Sequence, residues 1–168
     1  FCMNYLRISF GIFLVLAVSR FIPHPPNFTS LIALSFYVPA FLGRKYILAL
    51  ISSFFITDLL IGFHSTMLFT WGSVLIIGLF SNFFLKNIFL RISGALLGAI
   101  IFFIVTNFGV WITSGMYTLN LNGLLSAYLL GLPFFGFSAL STLIFSALFE
   151  LIINKSKFYL PKTNFGQF

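Results

Sequence analysis

Acidic side chains are nearly absent from this sequence: Asp58 and Glu150 are its only carboxylates, against nine Lys and Arg. Charge of either sign is scarce, with charged residues at 7% of the chain and a mean hydropathy of +1.12. So few charges do not clothe a soluble globule of 168 residues. The single cysteine, Cys2, excludes an internal disulfide and stands far from His24 and His64, so no zinc-type site is indicated. No Walker motif, nucleophile motif or paired-carboxylate pattern occurs, which argues against an enzyme and against a self-powered pump. No cofactor is indicated. The formal charge of +7 is spread thinly between apolar runs rather than gathered in a patch, so it does not point to nucleic acid.

What the chain has instead is apolar sequence in runs, at 60% of its residues. At ~20 residues per helical span, its length supplies about six spans and leaves little for a soluble domain. The expectation is one all-α transmembrane domain over residues 1–168, a polytopic membrane bundle. The 26 Phe look like the output of an AT-rich genome, so aromatic abundance by itself marks no ligand box.

The runs fall at Tyr5 to Ile22, Thr29 to Gly43, Tyr46 to Phe63, Met67 to Leu85, Ile92 to Thr113, and Gly123 to Ile153. The first ends in Ala17-Val18-Ser19, which resembles a signal-peptidase site, but the Arg20 directly after it fits a retained helix better. The second run is short for a hydrocarbon core. The last is long for one span, and Pro133 is read as dividing it into an interfacial or re-entrant piece, Gly123 to Leu132, and a sixth helix from Phe134 to Ile153. Residues 155–168, with Lys155, Lys157 and Lys162, read as a mobile cytoplasmic tail. In the fifth run, Gly94 and Gly98 form a small-xxx-small pattern that lets helix backbones approach closely.

With both termini cytoplasmic, eight of the nine basic residues lie at cytoplasmic ends and Arg20 alone lies outside. On that map the unusual polar residues gather on the outer half. Arg20, His24 and Asn27 belong to the proline-rich stretch between the first two helices. Asp58 and His64 close the third helix. Asn107 and Trp111, one turn apart, share a face at the outer end of the fifth. These seven residues are the candidate binding set for an unknown small molecule.

Each has a plainer reading. Asp58 inside an apolar run is expensive and so draws attention, but a structural pair with Arg20 would neutralise both. His24 is a loop imidazole between prolines, and His64 can serve the C-terminal end of a helix dipole. Trp71, Trp111 and Tyr117 suit an interfacial belt. Glu150, close to Lys155, reads as an inner-end ion pair.

The stretches Arg20-Phe21-Ile22-Pro23-His24-Pro25-Pro26-Asn27-Phe28-Thr29, Thr57-Asp58-Leu59-Leu60-Ile61-Gly62-Phe63-His64, Thr106-Asn107-Phe108-Gly109-Val110-Trp111 and Gly131-Leu132-Pro133-Phe134-Phe135 resemble a family of small bacterial integral membrane proteins that has no assigned activity. Thr142 stands where an acidic residue would be unsurprising in that family. In architecture, six short helices with an outward polar cavity resemble the substrate-binding S-components of energy-coupling-factor transporters. That resemblance implies capture of a vitamin-like or metal-related nutrient. It also implies docking on a transmembrane coupling subunit with two ATPases, through small residues such as Ser9, Gly11 and Ala17. The alternative is an accessory subunit of a larger membrane complex, in which Arg20, Asp58 and Asn107 are structural and no ligand binds.

Overall fold

The computed structural model describes residues 2–155, and the calls on Lys157 and Lys162 lie outside them. The described chain contains six α-helices: α1 (Cys2–Phe21), α2 (Leu31–Leu42), α3 (Tyr46–Ile61), α4 (Met67–Phe80), α5 (Ile88–Thr113) and α6 (Leu121–Lys155). A 3-10 turn, Ser81–Phe84, extends α4. With that turn, α4 joins α1, α5 and α6 as the four segments long and apolar enough to cross a membrane. The remaining two, α2 and α3, have 12 and 16 residues, and at 1.5 Å per residue α2 spans only ~18 Å.

The short helix is the centre. α2 packs against all five other helices, and every residue from Leu31 to Phe41 is buried. A helix with no polar face can be stable only when neighbours surround it. Around it run α1, α3, α4, α5 and α6 in that order, each packed on the next, while among the described residues α6 and α1 do not pack on each other. The ring is therefore open on one side.

Small residues allow this crowding. A Cβ added to Gly94 would sit 2.7 Å from both Phe36 and Phe84, one added to Gly98 would sit 3.2 Å from Ile77, and one added to Gly78 would meet Ile47 and the Pro39 ring. The Gly94/Gly98 pattern thus brings α5 close to α2 and α4. Down α6, Ser138, Thr142, Ser146 and Glu150 recur every fourth residue and all four are buried. Their size permits close approach, and Thr142 returns its hydroxyl to its own helix, donating to the Ser138 carbonyl at 2.7 Å. On α1, Ala17 is buried in the core while Gly11 is exposed, so the small residues of that helix do not share one outward face.

Pro133 does not divide the last run. α6 is a single helix of 35 residues that passes through it. Proline's fixed φ is compatible with a helix, and long apolar helices tolerate the hydrogen bond it removes. Arg91 likewise lies inside α5 rather than ahead of it, because Asn87 caps that helix by accepting from the Leu90 N–H at 2.8 Å.

The connections α1–α2, α3–α4 and α5–α6 share one end of the bundle. The described basic residues other than Arg20 belong to the opposite end: Arg7 on the first turns of α1, Arg44 and Lys45 between α2 and α3, Lys86 and Arg91 at the α4–α5 junction, and Lys155 closing α6. That end is fastened by Glu150. Arg91 grips it with two bonds, Nε to Oε1 at 2.6 Å and Nη2 to Oε2 at 2.7 Å, and the Tyr37 hydroxyl donates to Oε1 at 3.0 Å. The expected Lys155 partner is overturned for a geometric reason: five residues along a helix is a turn of about 140° away, so a buried Glu150 and an exposed Lys155 face apart.

Gly94→Val is expected to destabilise the bundle by at least ~1–3 kcal/mol, the usual cost of overpacking. Gly136→Val, where nothing lies within 4 Å, is expected to melt like the parent. Thermal melts of both variants in the same detergent make the comparison, and equal melting temperatures would refute the close approach of α5 to α2.

Candidate functional site

The stretch after α1 is shaped by its prolines and by Asn27. Asn27 adopts φ 62°, in the left-handed region that asparagine tolerates better than most side chains, and the Phe28 N–H closes a turn onto the Pro25 carbonyl at 3.0 Å. The turn is pinned to the bundle where the Ser19 and Ser30 hydroxyls meet at 2.8 Å. Within it, both nitrogens of His24 face carbonyl oxygens, Nδ1 that of Pro25 at 2.8 Å and Nε2 that of Arg20 at 3.3 Å. His24 is therefore held between its own loop and the last turn of α1.

Arg20 reaches from the last turn of α1 across to α3. Its Nη2 donates to Asp58 Oδ1 at 2.6 Å, its Nη1 donates to the Thr57 hydroxyl, and its guanidinium lies 4.3 Å from the Phe54 ring centroid. The other carboxylate oxygen, Oδ2, accepts from Trp71 Nε1 of α4 at 2.9 Å. Asp58 is wholly buried and both its oxygens are used. Gly62 makes this possible from the chain side: its φ of 119° ends α3 one turn later, with the Gly62 N–H bonded to the Asp58 carbonyl at 2.8 Å.

Beside this pair lies a cavity of about 510 Å³. Its mouth is framed by the three connections at that end of the bundle, through His24 and Asn27, His64 and Thr66, and Met116 and Tyr117. Its walls descend along α5 from Val110 to Phe102, a depth of ~12 Å at helical rise, and along α6 to Ser138. The upper part is polar, and the floor is formed by Phe102, Phe103, Phe134 and Phe135. No carboxylate lines it, because Asp58 sits behind Arg20.

Of the seven sequence candidates, the cavity brings together Arg20, His24, Asn27, His64 and Asn107. Asn107 projects from α5, its amide nitrogen donating to the Phe103 carbonyl at 2.9 Å and its Oδ1 lying against Gly131 of α6, where a Cβ would collide with it. Asp58 and Trp111 do not line the cavity. Trp111 instead donates from Nε1 to the Thr118 carbonyl at 3.0 Å and so fastens the α5–α6 connection. His64 is exposed, beyond the end of α3, with Nδ1 3.1 Å from the Thr66 hydroxyl.

Sequence reasoning missed Trp71 as an Asp58 donor and Tyr117, Thr66 and Thr70 as lining residues. The only available signal was indirect: a buried carboxylate needs several donors, and Trp71 was the indole on the same side. Among the described residues, no three His, Cys, Asp or Glu side chains come together in a way that would hold a metal ion.

The model of a family of unknown function, DUF6580, matches residues 3–161, and the chain belongs to that family. No curated protein and no solved structure gives a significant match.

Breaking the Arg20–Asp58 pair from either side leaves a buried charge without its partner, at a cost of ~3–5 kcal/mol. Asp58→Asn and Arg20→Gln are each expected to lower the melting temperature clearly, and the double variant to lose less than the sum. Strict additivity in that cycle would remove the pair as a fastening.

Proposed function

We propose that this protein is a multi-pass protein of the inner membrane that captures a small nutrient from outside in the cavity beneath the α1–α2 connection, in the manner of an S-component-like binding subunit. The observation that carries the reading is the convergence of Arg20, His24, Asn27, His64 and Asn107 on one cavity. These residues come from three separate parts of the chain, and the apolar helices around them would each have been simpler to build without them. A concave site with an apolar floor and a few convergent polar groups is the usual form of a small-molecule site.

The orientation follows from charge. Basic residues crowd the end opposite the cavity, and under the positive-inside rule that end faces the cytoplasm, so the cavity opens outward. The four segments of spanning length set the membrane thickness, with short α2 enclosed in the protein interior and short α3 on the outer ring. Energy for release would come from partners, a transmembrane coupling subunit with ATPases, because this chain carries no nucleotide-binding motif.

A second reading has one specific observation behind it. Both carboxylates are fully engaged in ion pairs, as they would be in an accessory subunit whose polar residues only hold helices together. The two readings part on ligand binding.

Native mass spectrometry of the purified chain is expected to show a co-purifying small molecule, and a panel of vitamins and metal ions is expected to include one that raises the melting temperature. Asn107→Ala should weaken that ligand about tenfold while leaving the apo melting temperature near the parent value, since the lost bonds amount to roughly 1 kcal/mol. An empty spectrum together with a flat panel would favour the accessory reading.

Orientation is tested separately. In a Cys2→Ser background, single cysteines at Lys45 and Lys86 should be labelled only after the inner face is made accessible, and one at Thr66 from outside. Labelling of Thr66 and Lys45 from the same side would overturn the topology.

A further inference from the structure

The polar groups that line the chamber differ in what bonding capacity they have left. On the α1 side Arg20 is turned onto α3, donating from both terminal nitrogens to Asp58 and Thr57, and its charge is balanced by that carboxylate. Both ring nitrogens of His24 face carbonyl oxygens of the chain. On the deeper wall each hydroxyl has given its hydrogen to its own helix. Thr70 donates to the Thr66 carbonyl at 3.2 Å, Thr106 to that of Phe102 at 2.7 Å, and Ser138 to that of Phe134 at 3.1 Å. A hydroxyl carries one hydrogen and two lone pairs, so these three oxygens can still accept but no longer donate. Asn107 adds a fourth acceptor. Its amide nitrogen donates to the Phe103 carbonyl, while Oδ1 receives no hydrogen bond from the described residues and is not sealed from a solvent-sized probe.

Hydroxyls that bond back onto their own helix are common in apolar helices. What sets these apart is that they line one cavity together with an unbonded amide oxygen. The chamber thus has a rim open to water, where Asn27 and Tyr117 make no side-chain hydrogen bond among the described residues, and a middle zone of acceptors on α4, α5 and α6. Below that zone lies the floor of Phe102, Phe103, Phe134 and Phe135.

Charged molecules complement the middle zone poorly. A carboxylate or phosphate there would face oxygen lone pairs, and an ammonium would find no carboxylate to receive its charge, since none lines the cavity. A neutral N–H satisfies an acceptor without carrying a charge out of water. The floor suits a ring, because aromatic groups pair favourably when offset or edge to face, and Phe103 and Phe135 already stand 5.1 Å apart at 50°. Resting on the reading of the cavity as a binding site, we infer that the ligand class is an uncharged aromatic heterocycle that donates hydrogen bonds, its ring N–H directed at the acceptors around Asn107 and Thr106 and its ring against the phenylalanine floor.

The test uses the full chain in phosphatidylcholine nanodiscs, with empty nanodiscs as the partition control. Ring N–H compounds are compared with their N-methyl twins: indole with 1-methylindole, 2-quinolone with 1-methyl-2-quinolone, and theophylline with caffeine. Indole-3-acetate and tryptamine present the indole ring with a negative or a positive charge. At least one N–H compound is expected to bind at least tenfold more tightly than its twin, the loss expected for one unsatisfied acceptor, and neither charged indole is expected to bind more tightly than indole. Asn107→Ala should cut that preference about tenfold, weakening the N–H compound and leaving its twin within about twofold. Thr106→Val, which keeps the shape of the side chain, should cut the preference as well and melt like the parent, since the Thr106 hydroxyl bonds only its own helix. Equal binding within every pair, a preference that neither variant changes, or tighter binding of a charged indole would overturn the inference. Binding of a compound from the vitamin and metal panel with no binding of any ring N–H compound would also overturn it, while the cavity reading stands. Silence from both sets of compounds would remove the cavity reading as well.

Discussion

Every carboxylate in this protein is buried against an arginine, and the bundle is held at its two ends by these two pairs. At one end Arg20 of α1 joins Asp58 of α3, with Trp71 of α4 closing the other oxygen. At the other, Arg91 of α5 joins Glu150 of α6, with Tyr37 of α2 as a third partner. Between them the two clusters engage all six helices. A buried ion pair contributes little net stability relative to an apolar contact, but a mismatched partner is expensive, so such pairs discriminate between arrangements. In a chain whose helices are alike in composition and nearly uniform around their circumference, this discrimination matters. Leucine and phenylalanine surfaces accept many neighbours, and Asp58 and Glu150 accept few.

The pairs also explain the distribution of polarity at the cavity. With Asp58 paired behind it, Arg20 presents its flank to the chamber as half of a neutral pair, and no acidic side chain lines the wall. The central position of α2 supplies the remaining condition. A helix of 12 residues surrounded by longer ones leaves space beyond its end, and the chamber mouth lies where α2 begins, next to Leu31 and Ile32. The cavity is thus a consequence of unequal helix lengths as much as of the residues that line it.

Much of this architecture could be read along the chain. Five of the six helices follow their apolar runs to within a few residues, and the seam of Gly94 and Gly98 packs as small residues at that spacing should. The chain belongs to a family of unknown function, consistent with its resemblance to a family without assigned activity. Other features depended on information that no local window holds. Pro133 can end a helix or be carried within one, and the residues next to it in sequence do not choose between the two. Glu150 lies next to Lys155 in sequence, but its partner Arg91 is 59 residues away. Asn27 stood out as an amide among prolines, and its backbone accounts for part of that, since the turn needs a residue that tolerates the left-handed region. Asn107 is different. Its single bond to the Phe103 carbonyl leaves its oxygen pressed against Gly131, in the wall of the chamber, and a packing role alone does not call for an amide there.

The gap in the helix ring is where these constraints meet. α1 is bound to α3 through Arg20 and to α2 through the Ser19–Ser30 contact, and among the described residues it does not pack on α6. On the far side α6 is drawn toward α5 and α2 by Glu150 and by its file of small hydroxyl residues. Each fastening pulls its helix away from the seam. Closing the seam would require apolar side chains to span it, yet Leu14, Val15 and Val18 project outward and remain exposed. In a membrane such a seam costs nothing, because lipid chains are as apolar as the helices they would separate. It ends at His24, which lines both the apolar flank and the polar chamber.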